Sequence, residues 1–160
     1  MTSGNRTNTP RRGKQLGVLL QRMITGLHTL LYRLSRGKIG GRMFNNPVLL
    51  LTTTGRKTGK RRVTPLLYVP DGPNMVLIAS NGGARAHPAW YFNLQARPVT
   101  EVQVGSRKLR VRAQDAGPKE RQRLWPVAVS AYSGYAGYQE RTQREIPIVI
   151  LRPVESSTRP

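Results

Sequence analysis

The sequence predicts an α+β, mainly β fold: a small antiparallel barrel of about six strands with helices filling its gaps, preceded by an amphipathic helix. Three observations carry this. Short β-branched runs are grouped in hairpins, few βαβ units are present, and an apolar stripe of helical period is confined to the first part of the chain. The 160 residues suffice for one domain with a real core. Hydrophobic residues make up 38% and charged residues 21%, which is not the composition of a disordered polymer.

Charge and composition restrict the chemistry. The 27 Lys and Arg against 7 Asp and Glu give a formal net charge of +20, which calls for an anionic partner. Nucleic acid, an anionic membrane surface and a polyanionic small molecule all satisfy that condition. With no Cys, disulfides, thiolate zinc, iron–sulfur clusters and a cysteine nucleophile are excluded. Two His (His28 and His87) and scattered acids argue against a protein-built metal site.

Residues 1–14 are polar and basic and read as a disordered tail. Over 15–37, Leu16, Leu19, Leu20, Met23, Ile24, Leu27, Leu30, Leu31 and Leu34 recur at spacings of three and four. They form one apolar stripe on a helix that polar residues interrupt too often for a bilayer span. Two readings are open: a helix packed on its own domain, or a helix lying on an anionic membrane surface. Gly37, Gly40 and Gly41 end it.

The barrel domain is expected over 44–154, with 155–160 as a tail. Val48–Thr54 is an apolar, β-branched strand, followed by a turn at Gly55–Lys60 and a second strand at Arg62–Val69. After the Asp71-Gly72-Pro73-Asn74 turn comes a short strand, Met75–Ala79, broken by Asn81-Gly82-Gly83. Pro88–Ala96 reads as a helix, with Pro88 suited to a first position. Val99–Val104 and Leu109–Ala113 pair across Gly105-Ser106. Pro118–Tyr132 is a second internal helix and Ile146–Leu151 a last strand.

Three segments carry chemical signals. Arg56, Lys57, Lys60, Arg61 and Arg62 crowd one turn that Gly55 and Gly59 bracket. Exposed amides, forked guanidinium groups and ammonium point charges suit phosphate and carboxylate. The competing reading is a solvated charged hairpin tip. A nucleotide-binding P-loop is excluded, because only three residues separate Gly55 from Gly59 and a strand follows rather than a helix. The second signal is Ala79-Ser80-Asn81-Gly82-Gly83 running into His87-Pro88-Ala89-Trp90-Tyr91-Phe92-Asn93-Leu94. This is either a platform on which a flat ring approaches backbone amides or plain core. The third is Tyr132, Tyr135 and Tyr138, spaced by three among small residues. They line a flat pocket with hydroxyl donors or belong to an aromatic core. No paired carboxylates, nucleophile elbow or dinucleotide fingerprint is present, so an enzyme of this sequence borrows its chemistry from an organic cofactor.

Taken in order, Thr54-Gly55-Arg56-Lys57-Thr58-Gly59, Arg62-Val63-Thr64-Pro65-Leu66, Ala79-Ser80 with Gly82-Gly83, Pro88 with Trp90-Tyr91 and Asn93-Leu94, and Ile146-Pro147-Ile148-Val149 resemble the deazaflavin-dependent nitroreductase and quinone reductase family of actinobacteria. The resemblance spans roughly residues 44–153. It implies a split β-barrel and use of coenzyme F420, a deazaflavin that bears a phosphate and an oligoglutamate tail. By this resemblance Arg56, Lys57, Thr58, Gly59 and Arg62 hold the phosphate and the acidic tail. Thr64, Pro65, Ala79, Ser80, Asn81, Gly82 and Gly83 line the ring, and Trp90 and Asn93 position it. Tyr132, Tyr135 and Tyr138 match the family's aromatic substrate wall.

The expected activity is transfer of a hydride from the reduced deazaflavin to a menaquinone-like quinone, a nitroaromatic or an activated alkene. Tyr135 is the first candidate for donor to the acceptor oxygen and Ser80 the second. The expected location is cytoplasmic, on the inner face of the membrane if the N-terminal helix binds lipid. Two other classes remain in view: a flavin mononucleotide enzyme on the same barrel, and a non-enzymatic basic protein that binds membranes or nucleic acid. Nucleic acid ranks last, because the glycine-bracketed cradle, the aromatic helix and the tyrosine triplet occur together.

Overall fold

The computed structural model describes residues 25–35, 37–38 and 40–154. The expected basic tail at 1–14, the first part of the amphipathic helix and the tail at 155–160 lie outside the described residues. Eight strands are present among them: β1 (Arg42–Met43), β2 (Asn46–Thr54), β3 (Arg61–Leu67), β4 (Val69–Asp71), β5 (Asn74–Ile78), β6 (Val99–Val104), β7 (Arg107–Asp115) and β8 (Ile148–Pro153). The helices are α1 (helical over 25–34), α2 (Ala89–Ala96), α3 (Pro118–Ala131) and α4 (Gly134–Glu140).

All pairings are antiparallel. From β2 the order runs β2-β6-β7-β8-β5-β4, while β3 flanks β2 on its other side. Only Tyr68 separates β3 from β4, so one bent strand pairs with β2 through its first half and with β5 through its second. That bend closes the sheet into a circuit and leaves no long open edge. Two of the eight strands are therefore a two-residue hairpin arm (β1) and the far end of a bent strand (β4), and the remaining six match the expected barrel.

Strands β2, β5 and β8 are buried on both faces. Leu49 and Leu51 of β2, Met75 and Leu77 of β5, and Val149 and Leu151 of β8 point into the barrel with Trp90 and Leu94 of α2. Their neighbours Val76, Ile78, Ile148 and Ile150 face outward under Leu124 and Ala128 of α3 and Tyr135 of α4. The alternation of period two thus serves two cores, and the runs read as continuously apolar. Each fully buried Leu or Ile contributes about 1.5–3 kcal/mol. The two-residue reverse at Gly105-Ser106 is as expected, with Val104 opposite Arg107.

One expectation is corrected and one open reading is refined. The sequence suggested two internal helices, whereas α4 makes a third. Its seven residues include two glycines, so intrinsic propensity is poor, and packing of Tyr135 decides the conformation. The second concerns α1. If its leucine stripe packed on the domain, those leucines would be buried, but Leu27, Leu30, Leu31 and Leu34 are exposed, Leu34 by 74%. The opposite face docks instead. Tyr32 is 1% exposed and packs on Val48 and Leu50. Its hydroxyl donates to the Val48 carbonyl (2.9 Å) and accepts from the Gly105 amide (2.8 Å).

Candidate functional site

The β2–β3 turn forms the base of the first site. The Gly55 amide donates to the Lys60 carbonyl (2.9 Å), and the Thr58 and Gly59 amides donate to the Gly55 carbonyl (3.2 and 2.7 Å). Gly59 sits at φ 66°, a left-handed conformation that a side chain would disfavour. The turn is braced from α2. Buried Asn93 donates through Nδ2 to Thr53 Oγ1 (3.1 Å) and accepts from the Arg56 amide through Oδ1 (3.0 Å). The Arg56 guanidinium lies 4.8 Å over the Phe92 ring.

A cleft of about 1010 Å³ opens above this turn. Arg56, Lys57, Thr58 and Arg62 line it, together with Thr64, Trp90 and Asn93. Thr25, Gly26 and Thr29 of α1 close one side. Ion pairs among the described residues join Arg61 to Glu101, Arg121 to Glu145, Arg123 to Asp71 and Arg152 to Glu120. None of these takes Arg56, Lys57 or Arg62, so three cations face the cleft without a carboxylate to neutralise them.

A second cavity of about 240 Å³ lies beyond Trp90. Its lining is aromatic and aliphatic: Pro65, Leu66, Leu67, Leu77 and Ile78 from the sheet, Tyr132, Tyr135 and Tyr138 from the end of α3 and from α4, and Ser80, Gly82 and Trp90. Met43 and Phe44 stand at its rim. The Tyr132 and Tyr138 hydroxyls share a hydrogen bond (3.1 Å), while Tyr135 meets Tyr132 edge-on with centroids 5.1 Å apart. Burial, reinforced by Tyr132 and Tyr138, pushes the Tyr135 hydroxyl up to about 12. It therefore keeps its proton at neutral pH and is able to donate a hydrogen bond.

The loop between the two spaces is held by a residue that sequence reasoning missed. The Arg144 guanidinium donates to the carbonyls of Ser80 (2.7 Å) and Ala84 (2.9 Å), to that of Ala79 (3.3 Å), and to His87 Nδ1 (3.0 Å). Because Arg only donates, His87 Nδ1 is the acceptor and the ring is neutral with its proton on Nε2. Burial, then the Arg144 charge, lowers the His87 pKa, although Asp115 opposes this. In sequence Arg144 was one basic residue among 27.

The expected site residues separate into three groups. Arg56, Lys57, Thr58, Arg62, Thr64, Trp90 and Asn93 meet at the cleft. Pro65, Ser80, Gly82, Trp90 and the three tyrosines meet at the pocket. Ala79 is buried in the barrel core, Asn81 turns its amide to the Ala86 carbonyl (2.9 Å), and Gly83 packs on the Tyr138 backbone. Those three line neither space and shape the loop instead. Gly59, exposed at the turn, lines neither space and supports the turn through its amide.

A family model described as F420H(2)-dependent quinone reductase matches residues 25–153. The chain belongs to the F420H2-dependent quinone reductase family. It is 40% identical over 142 residues to an F420H2-dependent quinone reductase of Mycobacterium tuberculosis, covering 86% of this chain and 93% of that one. A second protein of the same organism, provisionally given the same designation, is 47% identical over 107 residues, 67% of this chain and 90% of its own. Among solved structures, an F420-H2 dependent reductase superposes with a TM-score of 0.61 at 43% identity, over 66% of this chain and 94% of that one. The fold is the split barrel of these reductases. This F420H2-dependent quinone reductase family member is thus an oxidoreductase whose cofactor is coenzyme F420.

The residues present fit that cofactor. Three uncompensated cations, Arg56, Lys57 and Arg62, suit a phosphate and an acidic tail, and Trp90 supplies an aromatic face in the same cleft.

Proposed function

We propose that the two spaces divide the work of an F420H2-dependent quinone reductase, with Arg56, Lys57, Thr58 and Arg62 holding the phosphate and tail of the cofactor and the tyrosine pocket taking the acceptor. Residues at the junction, namely Thr64, Pro65, Ser80 and Trp90, would hold the deazaflavin ring. The observation that carries this reading is the junction itself. Along β3 the lining changes from cleft at Thr64 to pocket at Pro65, and Trp90 borders both.

Bound reduced F420 supplies a hydride, that is, two electrons with one hydrogen. The chain's own residues then orient the acceptor and stabilise the charge that develops on its oxygen. Tyr135 is the primary donor, since its hydroxyl stays protonated and lines the pocket. Ser80 is the second. One such donor contributes about 2.7–4 kcal/mol to a developing oxyanion. Apolar walls of Leu66, Leu67, Leu77 and Ile78 favour a menaquinone-like ring. Nitroaromatic and activated-alkene acceptors share its flatness and its demand for an oxygen-directed donor.

The deciding experiment titrates the purified protein with reduced F420 and with flavin mononucleotide, then adds a naphthoquinone. F420 oxidation on quinone addition is expected. Binding of the flavin alone, or of neither, rejects the reading.

Location on a membrane surface is a second part of this reading, favoured by the exposed Leu27, Leu30, Leu31 and Leu34 face of α1. No helix among the described residues is long and apolar enough to cross a membrane. Cosedimentation with anionic liposomes should be lost in a Leu27→Glu, Leu34→Glu variant, and retention of binding would reject this location.

A further inference from the structure

At the rim of the tyrosine pocket the chain reverses between β1 and β2, with Met43 opposite Asn46. Both central residues are left-handed, Phe44 at φ 50° and Asn45 at φ 62°. Two such residues make the turn whose twist matches a hairpin, and the preferred occupants are Asn, Asp and Gly. Asn45 conforms. Phe44 does not, because a bulky side chain in this region is a genuine outlier. The strained residue also gains nothing from the core: Phe44 is 66% exposed.

The turn is nevertheless pinned. Asn46 Nδ2 donates to the Phe44 carbonyl (2.8 Å) and to the Ala131 carbonyl at the end of α3 (2.7 Å). The pin holds the Phe44 ring nearly parallel to Tyr132, with centroids 5.3 Å apart and planes 27° apart. Tyr132 is itself fixed through its hydroxyl to Tyr138. The result is a rigid aromatic surface that starts inside the pocket and continues out of it.

Pocket size gives this surface a use. At about 240 Å³ the cavity is smaller than the roughly 300–1,000 Å³ common for ligand sites. It suits a flat ring and leaves no room for a long substituent. Any such substituent leaves through the rim, where Met43 and Phe44 are both exposed. Backbone strain of this kind persists only where the surrounding structure enforces it, and it clusters at ligand-binding sites.

We propose that Phe44 is a specificity-determining residue that takes the apolar substituent of a ring acceptor, so that the enzyme prefers quinones bearing a hydrocarbon chain over the bare ring. The inference rests on the tyrosine pocket being the acceptor site. It requires no movement of the turn, because the Phe44 ring is already displayed.

The test compares the full-length wild type and Phe44→Gly, each loaded with reduced F420, on a naphthoquinone with and without a prenyl chain. Glycine removes the ring and accepts the left-handed turn, so the melting temperature should not fall. The KM for the prenylated quinone should rise about tenfold, equivalent to about 1.4 kcal/mol, with its kcat, the KM for the bare ring and F420 affinity unchanged. Equal KM shifts for the two quinones, or none, would overturn the proposal. Tyr135→Phe is run in parallel on both acceptors. If it leaves turnover intact, the acceptor-site reading itself is wrong. If it slows both while Phe44→Gly fails to discriminate between them, only the role of Phe44 falls.

Discussion

Trp90 borders a cationic cleft on one side and a tyrosine pocket on the other, and the two spaces are assembled in opposite ways. The charged floor of the cleft comes from one hairpin turn, Arg56 to Arg62, steadied by Asn93 of α2. The pocket instead collects side chains from the β1–β2 turn, β3, β5, the Ser80 loop, α2 and the α3–α4 end. A site for a polyanion needs charge density, which neighbours in sequence provide. A site for a flat apolar ring needs walls on several sides, which only the closed fold provides. The division predicts that binding of the charged cofactor and turnover of the acceptor respond to different substitutions.

The largest separation should come from Tyr135→Phe. Loss of one donor to a developing oxyanion costs about 2.7–4 kcal/mol, a hundredfold or more in kcat. Stopped-flow turnover should record that fall while the F420 dissociation constant stays within twofold. Arg62→Ala or Lys57→Ala should do the reverse. Each charge-assisted contact is worth roughly 1.5–3 kcal/mol, so F420 affinity should weaken by about tenfold or more in a fluorescence titration. Added salt should mimic this in the wild type and leave the acceptor KM alone. A loss of kcat in Arg62→Ala at saturating cofactor would blur the division.

Asn93→Ala probes the brace rather than the ligand. It strands the Thr53 hydroxyl and the Arg56 amide, a loss of about 1–3 kcal/mol for buried polar groups. At about 2–4 °C per kcal/mol, calorimetry should show melting lowered by several degrees, with F420 affinity reduced alongside. The smallest effect concerns the loop between the spaces. His87 is neutral in the fold and its pKa lies below its ordinary 6.5, so the unfolded chain binds the extra proton more readily. Stability is therefore full above pH 6.5 and declines as the pH falls through that value. His87→Gln, which keeps an acceptor for Arg144, should flatten that decline in a melting-temperature series.

These differences follow what a sequence makes visible. The strand runs, the hairpin at Gly105 and the cation cradle are local patterns, and each is present where expected. Asn93 lines the cleft, as its place in the aromatic helix suggested, but its hydrogen bonds to Thr53 and Arg56 tie it to the turn in a way no local pattern shows. Arg144 and Phe44 carry no local signature, because their importance lies in carbonyls and rings brought near by folding. The N-terminal helix is the clearest case. Periodicity placed Leu27, Leu30, Leu31 and Leu34 on one stripe, and these four are exposed together, but a single tyrosine on the other side decides which face docks.

That tyrosine also gives the helix a built-in reporter. The Gly105 amide lies in the reverse turn between β6 and β7 and donates to the Tyr32 hydroxyl. Its exchange with solvent deuterium is therefore slowed by a residue 73 positions earlier in the chain. Whenever α1 lifts from the barrel, Tyr32 leaves with it and the amide is released to solvent, while the surrounding strand amides keep their ladder partners. The exchange rate at this one position, measured against its neighbours, would report how often the wall formed by Thr25, Gly26 and Thr29 lifts from the cationic cleft.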